Sequence, residues 1–102
     1  MALSRILVVD DEESIREFFQ IMLKREGYEV FTASNGLEGF EFLKKNPIDL
    51  IISDIQMPEM SGLELLSKVK EMDPDMVMIM ITAFGSTEIA VEAMKQIGRA
   101  HV

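Results

Sequence analysis

A chain of 102 residues fits one domain, and its 48% hydrophobic and 27% charged composition suits a globule with a buried core rather than a disordered tail. Its formal net charge of −8 argues against nucleic acid or an anionic membrane surface as a direct partner, since both need a basic face; a cation or a basic protein patch is the easier partner. With no cysteine there is no disulfide framework or thiolate zinc site; the N-terminus meets charge too soon for a secretory signal, no apolar run reaches membrane-spanning length, and a cytoplasmic protein is expected.

Short apolar runs alternate with longer amphipathic ones. RILVV (5–9) reads as a strand and ends in four carboxylates, Asp10 to Glu13. Ile15, Phe18, Phe19, Met22 and Leu23 then follow helical spacing, with Gly27 as the stop. YEVFTA (28–33) is a second strand, and Asn35 caps a second helix with Leu37, Phe40 and Leu43 on one side. DLIIS (49–53) is a third strand. Ser61 with Glu64 forms a capping box before a helix carrying Leu65, Leu66, Val69 and Met72. MVMIMIT (76–82) is a fourth strand, and a fourth helix follows GSTE with Ile89, Ala90, Ala93 and Met94. The methionines read as core packing. The alternation predicts an α/β fold: a doubly wound parallel sheet with helices on both faces.

In such sheets ligands bind outside the carboxyl ends of the strands. The first strand ends in Asp10-Asp11, the third in Ser53-Asp54 and the fourth in Thr82-Ala83, which brings three carboxylates and a hydroxyl to one edge. Neighbouring carboxylates about 4 Å apart repel by about 4 kcal/mol at an effective dielectric of about 20. Either the acids splay into water at a helix start, where Asp11 or Glu12 would serve as N-cap, or a cation sits among them. Mg2+ takes oxygen ligands and needs only one or two carboxylates plus phosphate oxygens. It would also supply the electrostatics of phosphoryl transfer to a carboxylate nucleophile.

With ILVVDDE, LIISDIQMPEMSGLELL and MIMITAFGSTEIAVEAMKQ at those strand ends, the chain resembles a two-component response-regulator receiver domain over residues 1–96. The last segment looks closest to receivers of enhancer-binding, nitrogen-regulator-type transcription activators. The resemblance implies a flavodoxin-like sheet of strand order 2-1-3-4, with Asp54 as phosphoacceptor. It implies Mg2+ held by Asp10, Asp11, Asp54 and the backbone carbonyl of Gln56. Thr82 would be the switch hydroxyl and the Ala83 N–H a donor to the phosphoryl group, while Met57-Pro58 and Gly62 shape the loop after the acceptor. A sensor histidine kinase is the implied phosphodonor, the implied role is signalling rather than turnover as an enzyme, and a C-terminal effector domain is expected beyond this chain.

After Gln96 the pattern departs from the family, whose fifth strand, switch aromatic, Lys-Pro pair and fifth helix find no match in IGRAHV. Ile97–Val102 is the translation of one reading frame of a widely used sequencing adapter, so residues 97–102 are expected to be a non-native tail on an incomplete receiver; a truncated receiver is the alternative. The lost lysine would leave the phosphorylated state short of a charge-assisted bond. The apolar fourth strand would become an edge prone to self-association. Three rival readings stay open. A flavin or nucleotide module needs a phosphate-cradling first loop, where DDEES would repel. An aspartyl phosphohydrolase lacks a second acid where Gln56 stands. A receiver-like interaction module is never phosphorylated.

Overall fold

The computed structural model describes residues 5–57 and 59–81. Within them lie β1 (Arg5–Val9), α1 (Glu13–Arg25), β2 (Glu29–Ala33), α2 (Gly36–Lys45), β3 (Leu50–Asp54), α3 (Gly62–Met72) and β4 (Val77–Ile81). The strands pair in parallel in the order β2-β1-β3-β4, the expected doubly wound α/β topology. Thr82, Ala83, the helix expected after GSTE and the 97–102 tail lie outside the described residues. None of the described helices is long and apolar enough to cross a membrane.

The continuous apolar strands are explained by burial on both sides. Leu7, Val9 and Ile51 point into one core with Leu43 of α2 and Leu65 and Val69 of α3. Ile6, Val8, Leu50 and Ile52 point into the other, with Phe19 and Leu23 of α1. Because side chains alternate across a strand, a sheet sandwiched between helices must be apolar at every position. On β3 the alternation continues to the strand end: Ser53 is fully buried, whereas Asp54 is half-buried.

The helix signals are realised with small differences. Asn35 accepts the Glu38 N–H at 2.8 Å, and the Ser61–Glu64 capping box is present. Gly27 ends α1 at φ 93, a conformation that favours glycine. The Tyr28 N–H is spent on Leu23 O at 3.1 Å, so β2 starts at Glu29 rather than Tyr28. β3 runs one residue further than the apolar run suggests, because Asp54 still pairs with Ile81. Leu37 and Met72, counted on the inner faces of their helices, are 47% and 43% exposed.

At the end of the sheet away from the acids, Arg5 ties three strand starts together. Its N–H donates to Asp49 Oδ2 at 3.0 Å and its Nε to Pro47 O at 2.6 Å, while Nη1 forks onto both Glu29 carboxylate oxygens. Its guanidinium also lies 4.6 Å above the Phe31 ring. Planar fork geometry and stacking are beyond lysine. Arg5→Ala is expected to cost about 2 kcal/mol in urea denaturation, with Arg5→Lys recovering less than half of it.

Candidate functional site

β1 and β3 are neighbours in register, Val9 beside Ser53, so the residues that follow them, Asp10 and Asp54, emerge side by side. Asp10, Asp11 and Asp54 each offer a carboxylate oxygen, and these oxygens all lie within 4.8 Å of one another. Their surroundings differ: Asp10 is 4% exposed, Asp54 half-buried and Asp11 exposed. Among the described residues no ion pair includes any of the three.

Asp10 is held at its N–H, its carbonyl and one carboxylate oxygen. Its N–H donates to Ala33 O at 3.1 Å, its Oδ1 accepts the Glu12 N–H at 2.9 Å, and its carbonyl accepts from Arg16 Nη1 at 2.6 Å. The α1 N-cap position falls to Glu12, whose side chain makes no capping bond. The acids therefore do not splay simply to cap a helix: the buried Asp10 carboxylate takes the Glu12 amide and turns inward. Burial raises its pKa from 3.8 to about 6, against the Glu12 hydrogen bond and with further repulsion from Asp54, Asp11 and Glu12.

The end of β3 is positioned by its loop. The Gln56 N–H donates to Asp54 Oδ1 at 3.3 Å, the Ile55 N–H to Ile81 O at 2.9 Å, and the Gly62 N–H to Ile55 O at 2.8 Å. Gly62 packs so closely on the Asp54 carbonyl that a Cβ would overlap it. Glu59 adopts φ 68 in the same turn, and Met57 and Met60 are buried beneath it. Asp54 thus has one carboxylate oxygen tethered by a backbone amide.

Of the residues singled out in the sequence, Asp10, Asp11 and Asp54 converge, and Gln56 sits two residues from Asp54 with its N–H on that carboxylate. Thr82 follows Ile81, the partner of Asp54, but is itself outside the described residues. Arg16 was missed. Its signal was a basic residue in the first turns of a helix that opens with acids, against the usual dipole preference.

Three hard oxygen donors gathered with no ion pair to a cationic side chain among the described residues suit a small divalent cation. An octahedral sphere with metal–oxygen distances of about 2.1 Å spaces its oxygens at roughly 3 to 4 Å, close to the spread of the pocket. A phosphate bound directly to the three carboxylates would be repelled, so the pocket does not suit an anion alone.

Comparison with known proteins agrees with this geometry. Residues 6–101 match the family model described as response regulator receiver domain. The chain is 39% identical over 93 residues to the transcriptional regulatory protein GlrR of Escherichia coli K12, covering 91% of this chain and 21% of that protein. It therefore spans about a fifth of the length of that relative. It is 35% identical over 94 residues to sporulation initiation phosphotransferase F of Bacillus subtilis, covering 92% of this chain and 75% of that one. Among solved structures, TrrA of Thermotoga maritima in complex with Mg2+–BeF is 44% identical with a TM-score of 0.77, covering 80% of this chain and 71% of that one. The same protein in complex with the histidine kinase ThkA matches at 43% and 0.77, covering 82% and 72%. A parallel sheet of this order, three carboxylates at the carboxyl ends of two adjacent strands and a family match over most of the chain lead to one assignment: the chain belongs to the response regulator receiver domain family.

Proposed function

We propose that this receiver takes a phosphoryl group onto Asp54 in a cation-dependent reaction and passes the signal on through the change in charge at that strand end. The observation that carries the reading is the convergence of Asp10, Asp11 and Asp54 with no cationic side chain paired to them among the described residues. Mg2+ is the proposed ion, held by those carboxylates and the Gln56 carbonyl. When bound it neutralises the acids and the equatorial phosphoryl oxygens. TrrA, solved with Mg2+–BeF and with a histidine kinase, supports both ion and donor class.

The chain's own residues prepare the nucleophile. The Gln56 amide holds Asp54 Oδ1, which leaves Oδ2 for in-line attack. A P–O bond forms to Asp54 Oδ2 as the P–N bond of a donor phosphohistidine breaks, and the bonding pair stays on the imidazole. The product is an acyl phosphate. Thr82 and Ala83 are proposed as hydroxyl and N–H donors to the transferred group, on sequence alone. The parent protein is proposed to join this receiver to a transcription-regulating effector, in keeping with the likeness to GlrR. Residues 97–102 remain proposed as a tail foreign to that parent.

The test is an intact-mass spectrum after incubation with acetyl phosphate, with Mg2+ or with EDTA, beside Asp54→Asn. One phosphoryl group is expected on the wild-type chain with Mg2+ only, and none on the variant. A folded chain that gains nothing would overturn the reading for this sequence; a gain that survives Asp54→Asn would move the acceptor elsewhere. Slow loss of the label without turnover separates a receiver from a hydrolase.

A further inference from the structure

The Arg16 guanidinium stands within helical reach of Glu12 and Glu13, yet its hydrogen bond goes to a neutral group, the Asp10 carbonyl, at 2.6 Å. That choice is unusual on two counts. Ion pairs at i,i+3 and i,i+4 normally collect such an arginine, and a cation in the first turns of a helix opposes the macrodipole. The carbonyl it takes belongs to the peptide linking Asp10 to Asp11, so one contact orients the plane from which both carboxylates depart. Ala33 O holds the Asp10 N–H and the Glu12 N–H holds its Oδ1, which leaves Oδ2 for the pocket.

We propose that Arg16 is a positioning residue for the acidic pocket: by clamping the Asp10–Asp11 peptide it presets the two carboxylates for the divalent cation. The inference rests on the functional reading above. It makes a prediction whose sign differs from that of plain electrostatics. Removing a positive charge beside an acidic pocket should by itself tighten cation binding. Removing a clamp that orients the ligands should weaken it, as loss of a supporting hydrogen bond commonly does, by about tenfold or more.

The experiment is a calorimetric titration of Mg2+ into the full chain and into Arg16→Met and Arg16→Lys. Amide hydrogen exchange at Glu12 is followed in EDTA as a metal-free readout. Arg16→Met keeps the apolar stem but loses donor and charge, and should bind Mg2+ at least about tenfold more weakly, with faster exchange of the Glu12 amide. Lysine can reach the same carbonyl with one donor, and Arg16→Lys should restore most of the affinity. Circular dichroism checks folding, and Arg16→Ala replaces Arg16→Met if that variant does not fold. Equal or tighter binding by the donor-less variant, or unchanged Glu12 exchange, overturns the assignment of Arg16 while leaving the site intact. Absence of Mg2+ binding by the wild-type chain overturns the functional reading itself and the Arg16 assignment with it.

Discussion

Asp10→Asn is expected to stabilise the metal-free protein while abolishing the cation binding proposed for it. The buried Asp10 carboxyl has its pKa raised from 3.8 to about 6, so the fold favours the protonated form. Below about pH 4 both folded and unfolded chains carry the proton and the group costs nothing. As pH rises from 3.8 to about 6 the unfolded chain releases the proton first and stability falls; above that the full penalty applies. A displacement of that size corresponds to on the order of 3 kcal/mol. Asparagine can still accept the Glu12 N–H without the charge. In EDTA at neutral pH its melting temperature should exceed that of the wild type by about 10 °C. The gap should close on acidification through pH 6 towards 4, as thermal melts across that range would show. Saturating Mg2+ should raise the wild type and leave the variant nearly unmoved. A variant that melts lower than the wild type at pH 7 in EDTA would show that burying the Asp10 carboxylate carries no net penalty. A gain in stability with loss of function is the common outcome where a site concentrates like charges.

Gly62→Ala should produce the opposite result. Replacing glycine by alanine inside a helix ordinarily gains about 1 kcal/mol. At the first residue of α3 the new Cβ would overlap the Asp54 carbonyl oxygen and come within 2.9 Å of its carbon and 2.7 Å of Met80 Cε. The methionine tip can move, but the backbone of β3 cannot without breaking its pairing to β4. The expected loss is at least about 2 kcal/mol in denaturant. Mg2+ affinity should fall along with it, because the shift falls on Asp54 itself. Unchanged stability would mean that the β3–α3 turn has slack that the structure does not show.

The strands and three described helices were legible because burial on both faces of the sheet demands continuous apolar runs, while Asn35 and Ser61 mark helix starts by chemistry that acts within one turn. Legibility failed where a distant partner decides. Tyr28 leaves its strand because the end of α1 takes its N–H, and Asp54 stays in its strand because Ile81 lies opposite. Leu37 follows the helical apolar spacing but sits exposed at the start of α2, a distinction that periodicity cannot draw. For the site, the sheet-edge rule pointed to Asp10, Asp11 and Asp54, and the resemblance supplied their roles. Arg16 escaped because an arginine four residues after a glutamate reads as a surface ion pair. Only coordinates reveal that it passes over Glu12 for a carbonyl.

The alternation at the end of β3, with Ser53 sealed in the core and Asp54 at the pocket, bears on how faithfully the chain folds. In a sheet of interchangeable Leu, Ile and Val residues, sliding β3 by one position against β1 would barely alter the apolar contacts, because both faces are apolar. Such a slip turns every side chain to the opposite face. A slip that draws Asp54 into the place of Ser53 would push its carboxylate into the core and bring Ile55 to the pocket. An unpaired buried carboxylate costs several kcal/mol. The acidic group at the tip of β3 thus penalises the wrong register that its apolar neighbours would tolerate, and a misaligned sheet is disfavoured before any ligand is met.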